Sequence, residues 1–124
     1  MIQGGGYKYN QKDEIIKINE YKSIKSEANN GLCNVKGALA MARSGDNPNS
    51  ATSNFFINLK ANYRYNYSYQ KDKSKSYTVF GKVITGWDTI EKISSLKTIK
   101  KGVFKNYPIK DVIIKKIEIY ESDF

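Results

Sequence analysis

Apolar residues along this chain come in short bursts separated by polar stretches, a rhythm that favours strands over long helices. Ala38-Leu39-Ala40-Met41-Ala42 is a compact apolar run. Turn chemistry over residues 27–32, where Asn29, Asn30 and Gly31 supply positive φ, leads into it and predicts a strand over residues 35–42. Pro48 and Asn49 mark a turn, and Asn54 followed by Phe55-Phe56-Ile57 opens a second strand over residues 54–59. Residues 78–84 predict a third, ended by Gly86. Trp87, Ile90, Ile93 and Leu96 then recur every three residues, which predicts a short amphipathic helix whose apolar face packs on the sheet. Residues 111–120 alternate in part, with Val112, Ile114, Ile117 and Ile119 apolar, and predict a closing strand.

The remaining segments are less regular. Residues 1–3 have the look of a strand end, and Gly4-Gly5-Gly6 permits a backbone conformation that a Cβ resists. Residues 7–25 are polar; residues 14–18 hold enough isoleucine for a short edge strand, but their charge makes a loop the expectation. Tyr63, Tyr65, Tyr67 and Tyr69 alternate within residues 60–76, and both a half-buried strand and a long surface loop fit that pattern. The sum is a mainly β chain, a barrel or half-barrel, with one helix near residues 87–96.

At 124 residues the chain has the length of one domain, and 40% hydrophobic with 27% charged residues is ordinary for a folded body. The net charge of +9 raises contact with nucleic acid as an option. Its lysine clusters at residues 71–75, 97–101 and 115–116 are diluted by Asp, Ser or apolar neighbours, so a solvated basic surface is expected and nucleic acid is not the expected partner. One cysteine and no histidine exclude an internal disulfide, a Cys/His zinc cluster and a Cys-His nucleophile pair; no metal and no cofactor are expected. Cys33 reads as a small apolar residue near a strand start. No apolar run has the length of a membrane span, and no secretion signal opens the chain, so no membrane partner is expected.

Without histidine the acid-base groups are carboxylates, and none stands beside a recognisable nucleophile. Rotation of a prolyl amide needs no such group, because no covalent bond changes; the barrier is about 18–20 kcal/mol and a site need only prefer the twisted amide. That takes an apolar wall for the proline ring, hydrogen bonds to the flanking peptide and a desolvated cation near the prolyl nitrogen. Phe56, Met1 and Tyr65 are candidate walls, Gln3 and Asn54 candidate donors and acceptors, and the Ala42-Arg43-Ser44 backbone a rail for an extended peptide. Each has an ordinary reading too: Phe55-Phe56-Ile57 as a buried strand, Arg43 as a solvated charge, Tyr77 as a strand-end aromatic. The glycine triplet lacks the spacing of a phosphate loop.

Six ordered motifs carry a family resemblance over nearly the whole chain: MIQGGG, IKSEANNGL, GALAMAR, SATSNFFIN, YTVFGKV and GWDTIEKI. Together they resemble the bacterial cyclophilin-type peptidyl-prolyl cis-trans isomerases. The resemblance implies an antiparallel β-barrel, cofactor-free isomerisation of Xaa-Pro bonds, proline-containing peptides and unfolded proteins as partners, and a monomer. Residue by residue it implies Gln3 as the active-site glutamine, Met1 as the pocket methionine, Ala42 as a peptide-backbone contact beside Arg43, and Phe56 as the ring beneath the proline. Asn54 stands where the family usually has Gln, Tyr77 where relatives have His or Tyr, Arg64 at an aromatic's place and Tyr65 at a Leu's. Either Tyr63 or Tyr65 can replace the lost aromatic by a local shift.

The family's Phe-x-Arg motif would precede Met1, so its catalytic arginine has no counterpart, and neither Arg43 nor Arg64 takes that role. The expectation is therefore one N-terminally truncated domain over residues 1–124, an incomplete cyclophilin-like barrel with about five of eight strands. It would act as a prolyl isomerase or as a non-catalytic proline-peptide-binding or chaperone module, with a basic nucleic-acid-binding domain a distant third. Cytoplasm and periplasm both fit, with cytoplasm favoured.

Overall fold

The computed structural model describes residues 1–122, which divide into two compact units, Met1–Trp87 and the chain from Asp88 onward. The first unit holds six short strands: β1 (Ile2–Gly4), β2 (Tyr7–Tyr9), β3 (Ile15–Lys17), β4 (Ala38–Met41), β5 (Phe55–Ile57) and β6 (Val79–Lys82). Four of them form an antiparallel sheet in the order β1-β5-β4-β6, so the Phe-Phe-Ile and Ala-Leu-Ala-Met runs occupy its two central strands. The two most apolar runs of the chain are the two with partners on both sides, where exposure would cost most.

Register fixes which side chains share a face. Gln3 lies opposite Phe56, Phe56 opposite Ala40, and Ala40 opposite Val79, so these four project to one side of the sheet. Ala38, Ala40, Phe56 and Val79 are the buried core there, and Ala42, Tyr65 and Tyr77 pack against it. Phe56 is the one aromatic ring among the four, so the small alanines of β4 leave the depth of this face to it. Between Leu39 and Ala40 the β4-β6 ladder shifts register by a bulge.

The polar stretch after the glycines is not the loop the sequence predicts. β2 and β3 pair as an antiparallel hairpin, with Tyr7 opposite Lys17 and Tyr9 opposite Ile15. Its turn is built by Asn10, whose side-chain oxygen accepts from the backbone amides of Lys12 and Glu14, while Asp13 adopts a left-handed φ of 55°. Local turn chemistry closes the strand pair although its side chains are mostly exposed: Tyr7, Tyr9 and Ile15 share one face, Lys8 and Ile16 the other.

The alternating tyrosines form neither a strand nor a featureless loop. Tyr63 and Tyr65 sit on a 3-10 turn, Tyr63–Tyr65, Tyr67 and Tyr69 on the turn that follows it, and a second 3-10 turn spans Lys73–Lys75. Asp72 caps the second, accepting from the Ser74 hydroxyl at 2.6 Å and the Ser74 amide at 3.1 Å. These two bonds, with the nearby charges of Lys75 and Arg43, hold the Asp72 carboxyl below the ordinary aspartate value. Its charged form is thus favoured in the fold, and the capping contribution is present above the unfolded-state value and lost as pH falls through the lower folded one. Accordingly, the Ser74 amide resonance is expected to titrate with a midpoint below that of an unstructured aspartate, and Asp72→Asn to abolish the titration.

The helix α1 spans Trp87–Ser94, all but its first residue in the second unit, in agreement with the three-residue recurrence of apolar positions, and Ile90 is buried. An antiparallel hairpin follows, β7 (Thr98–Lys101) and β8 (Phe104–Pro108), turned at Gly102 with φ 57°. The closing strand expected over residues 111–120 does not form: the segment has no ladder partner, and Ile117 and Ile119 are 73% and 90% exposed. The described residues thus hold eight strands and one α-helix, with β1 and β6 as open sheet edges and no closed barrel.

Candidate functional site

A concave patch lies over the face that carries Phe56. Phe56 itself is 2% exposed, because Tyr65 and Tyr77 stand edge-on to it at ring distances of 6.1 and 5.5 Å, and the two tyrosines meet each other at 4.9 Å. Such edge-to-face pairs contribute about 0.5–1.5 kcal/mol each beyond area burial. Both tyrosines are half-buried and line an open cleft of about 440 Å³ together with Arg43, Gly45, Asp46, Arg64, Gln70 and Lys75.

A buried amide network sets the position of Tyr65. Asn34 and Asn58 are fully buried and Asn66 nearly so. Asn66 Oδ1 accepts from the Asn34 amide at 2.7 Å, Asn58 Nδ2 donates to Asn34 Oδ1 and to the Ala38 carbonyl, and Asn62 Nδ2 donates to Asn58 Oδ1 at 2.7 Å. The Tyr63–Tyr65 turn is strung between Asn62 and Asn66, and the Tyr77 amide donates to the Tyr65 carbonyl at 3.0 Å. Strand ends and tyrosine turn are thereby one hydrogen-bonded body, which holds Tyr65 against Phe56. Asn66 and Asn34 carried no signal in the sequence, where an asparagine reads as loop chemistry.

The sequence-derived residues fall as follows. Phe56, Tyr65, Tyr77 and Ala42 are brought into one cluster, and Gln3 is exposed on the same sheet face, on the neighbouring strand β1 directly opposite Phe56. Arg43 lines the cleft: its guanidinium lies 4.5 Å from the Tyr77 ring centre, Nε donates to the Ser76 carbonyl and Nη1 to that of Gly45. It is thus a fixed part of the cleft rim, not the freely solvated charge that its composition class suggests. The Ala42 amide is taken by the Asn54 carbonyl at 3.0 Å. Met1 is exposed just before β1 and, like Gln3, lies outside the lining of the cleft. Of the two tyrosines weighed for the far wall, Tyr65 is the one against Phe56, while Tyr63 is 58% exposed. Arg64, Gln70 and Lys75, not singled out as binding residues by sequence, also line the cleft; only their loop brings them there.

Asn54 has its amide lodged in the space above Gly6: a Cβ there would stand 2.3 Å from Asn54 Oδ1. Gly5 has φ 88°, and a Cβ on it would meet the Ser53 carbonyl at 2.4 Å. The two substitutions should therefore differ in kind. Gly5→Ala strains backbone against backbone and is expected to cost about 1–3 kcal/mol in chemical denaturation. Gly6→Ala meets only a side-chain end, so it should cost less while visibly displacing the Asn54 side-chain amide signals in NMR.

Among the described residues no helix is long and apolar enough to cross a membrane. Residues 1–119 match the family model described as cyclophilin type peptidyl-prolyl cis-trans isomerase. The chain is 44% identical over 119 residues to a peptidyl-prolyl cis-trans isomerase of Acinetobacter baylyi, covering 96% of this chain and 59% of that protein. It is 41% identical over 121 residues to peptidyl-prolyl cis-trans isomerase B of Escherichia coli, covering 98% and 71%. To peptidyl-prolyl cis-trans isomerase A of Dickeya dadantii it is 38% identical over 122 residues, covering 98% and 60%. The chain thus spans roughly three fifths to seven tenths of the length of these relatives.

Proposed function

We propose, since this chain belongs to the cyclophilin-type peptidyl-prolyl cis-trans isomerase family, that its cleft binds proline-containing peptides and speeds rotation about the Xaa-Pro amide. The observation that carries this is the cluster of Phe56, Tyr65 and Tyr77 beside Gln3: an aromatic slot with an exposed amide on the same sheet face. A proline ring set against the two tyrosines, with Phe56 behind them, is held without hydrogen bonds. Gln3 binds the flanking peptide, Asn54 and the Ala42-Arg43 segment extend the contact, and Met1 flanks the entrance. The apolar slot strips water from the planar, more polar amide and so favours the twisted one.

A proline peptide followed by a protease that cuts only the trans form tests this: the slow phase is expected to accelerate in proportion to added chain. Gln3→Ala should lower that acceleration about tenfold, the worth of one hydrogen bond made in the twisted state. A slow phase indifferent to added chain overturns the proposal.

A second reading, peptide binding without catalysis, is favoured by one observation. The sequence has two arginines, and Arg43 is tied to the Ser76 and Gly45 carbonyls while Arg64 lies over the Tyr65 ring, so each already has an engagement. We read residues 1–124 as one domain, supported by a family match that runs on through residue 119, and as a monomer. We place it in the cytoplasm in preference to the periplasm; Cys33, the one cysteine of the sequence, fits either compartment.

A further inference from the structure

We propose that the cleft selects proline peptides carrying a carboxylate side chain next to the proline; the inference rests on the peptide-binding reading above. Three cationic side chains, Arg43, Arg64 and Lys75, line the same opening as Tyr65 and Tyr77, against one acidic residue, Asp46. The two arginines stand over the slot's own rings, Arg43 at 4.5 Å from the centre of Tyr77 and Arg64 at 5.2 Å from that of Tyr65. Arg43 is preorganised by the two carbonyls it donates to, so little side-chain freedom remains to be lost when an anion arrives.

Neither arginine forms an ion pair among the described residues, whose two such pairs are Lys17 with Glu20 and Lys116 with Glu118. Asp72, a further carboxylate that accepts from the Ser74 hydroxyl and amide, stays ionised and offsets part of the charge of Lys75 and Arg43, but it does not pair with either. Three cations against Asp46 and Asp72 leave the rim of the aromatic slot with a net positive charge. An extended peptide whose proline fills the slot carries its neighbouring side chain to that rim, where a carboxylate meets forked guanidinium donors. A lysine at the same place meets like charge.

The test compares three peptides that differ in one residue, Glu, Gln or Lys, placed either before or after the proline, by fluorescence anisotropy on the full chain. Expected is about fivefold tighter binding of the Glu peptide than of the Gln peptide in one of the two placements, with the Lys peptide weakest. The Glu preference should shrink as ionic strength rises from ~0.05 to ~0.5 M. Arg64→Gln and Lys75→Gln should each reduce the Glu/Gln ratio, and Arg64→Glu should turn it towards the Lys peptide, a reversal that loss of folding cannot produce. Because each readout is a ratio within one preparation, a general weakening cancels. Equal binding of all three peptides in both placements, insensitive to salt and to these variants, overturns the inference while leaving the peptide-binding reading intact. Failure of every peptide to bind overturns both.

Discussion

Phe56→Ala is expected to cost about 3–5 kcal/mol of folding stability and to abolish proline-peptide binding. The ring is 2% exposed at the centre of a four-stranded sheet, with Ala40 opposite it on one side and Gln3 on the other. Truncation removes its transfer free energy, leaves a cavity that the alanines of β4 cannot fill, and removes the two edge-to-face contacts that the ring makes, one with Tyr65 and one with Tyr77. Against a typical total of about 5–15 kcal/mol, that is a large share of what holds a small domain folded. Chemical denaturation measures it as a lower midpoint. Phe56→Leu keeps most of the apolar volume, so it should remain folded and separate the two effects: tyrosines that have lost their ring partner bind the proline peptide more weakly on a stable scaffold.

The second large effect is expected at Asn58. Replacing it with alanine leaves the Asn34 side-chain oxygen without its partner, removes one of the two bonds of the Asn62 side-chain amide, which keeps the Lys60 carbonyl, and removes one of the two bonds of the Ala38 carbonyl. A buried polar group left unmade costs about 1–3 kcal/mol, so the sum should exceed ~3 kcal/mol, comparable to loss of a core ring although no apolar contact is touched. Asn62→Ala, at the partly exposed end of the same chain of amides, should cost about 1 kcal/mol. Hydrogen exchange gives an independent check: in Asn58→Ala the amides of Asn62, which donates to the Asn34 carbonyl, and of Tyr77 should lose protection together. Unchanged exchange at Tyr77 would mean that the network does not hold the tyrosine turn.

These two effects also mark where the sequence was legible and where it was not. The Ala-Leu-Ala-Met and Phe-Phe-Ile runs announced the central strands because a strand on which buried and half-buried positions alternate, with none exposed, takes an unbroken apolar run. Trp87, Ile90 and Ile93 announced the helix, and the glycine triplet its constrained turn, for equally local reasons. Residues 111–120 had the same alternation as a strand and form none, because alternation states which side chains would share a face and not whether a partner strand exists. The reverse held for the β2-β3 hairpin, where Asn10 and Asp13 close the turn with little apolar pattern to announce it. The buried asparagines were the least legible of all. Their pairing depends on segments 24 and 32 residues apart meeting in the fold, and nothing local distinguishes such an amide from one in a solvated loop.

Of the residues carried by motif, Ala42 packs on the core cluster of Phe56 and Gln3 stands opposite Phe56, while Met1, Gln3, Ala42 and Phe56 all lie outside the lining of the cleft. The cations at the rim do not follow from motif or periodicity, since Arg64 and Lys75 reach the cleft through the irregular path of their loop. Arg64 is placed by the turn that the amide network brackets at Asn62 and Asn66, and Lys75 by the separate turn that Asp72 caps.

The most direct measurement is exchange spectroscopy on an isotope-labelled proline peptide, recording cis-trans exchange with and without the chain. The unassisted bond turns over in tens to hundreds of seconds, too slowly to give exchange peaks. Cis-trans exchange peaks that grow with added chain, alongside shifted Tyr65 and Tyr77 ring signals, are the predicted result. A peptide that saturates the tyrosine signals while its two forms still interconvert at the unassisted rate would contradict catalysis by this cleft.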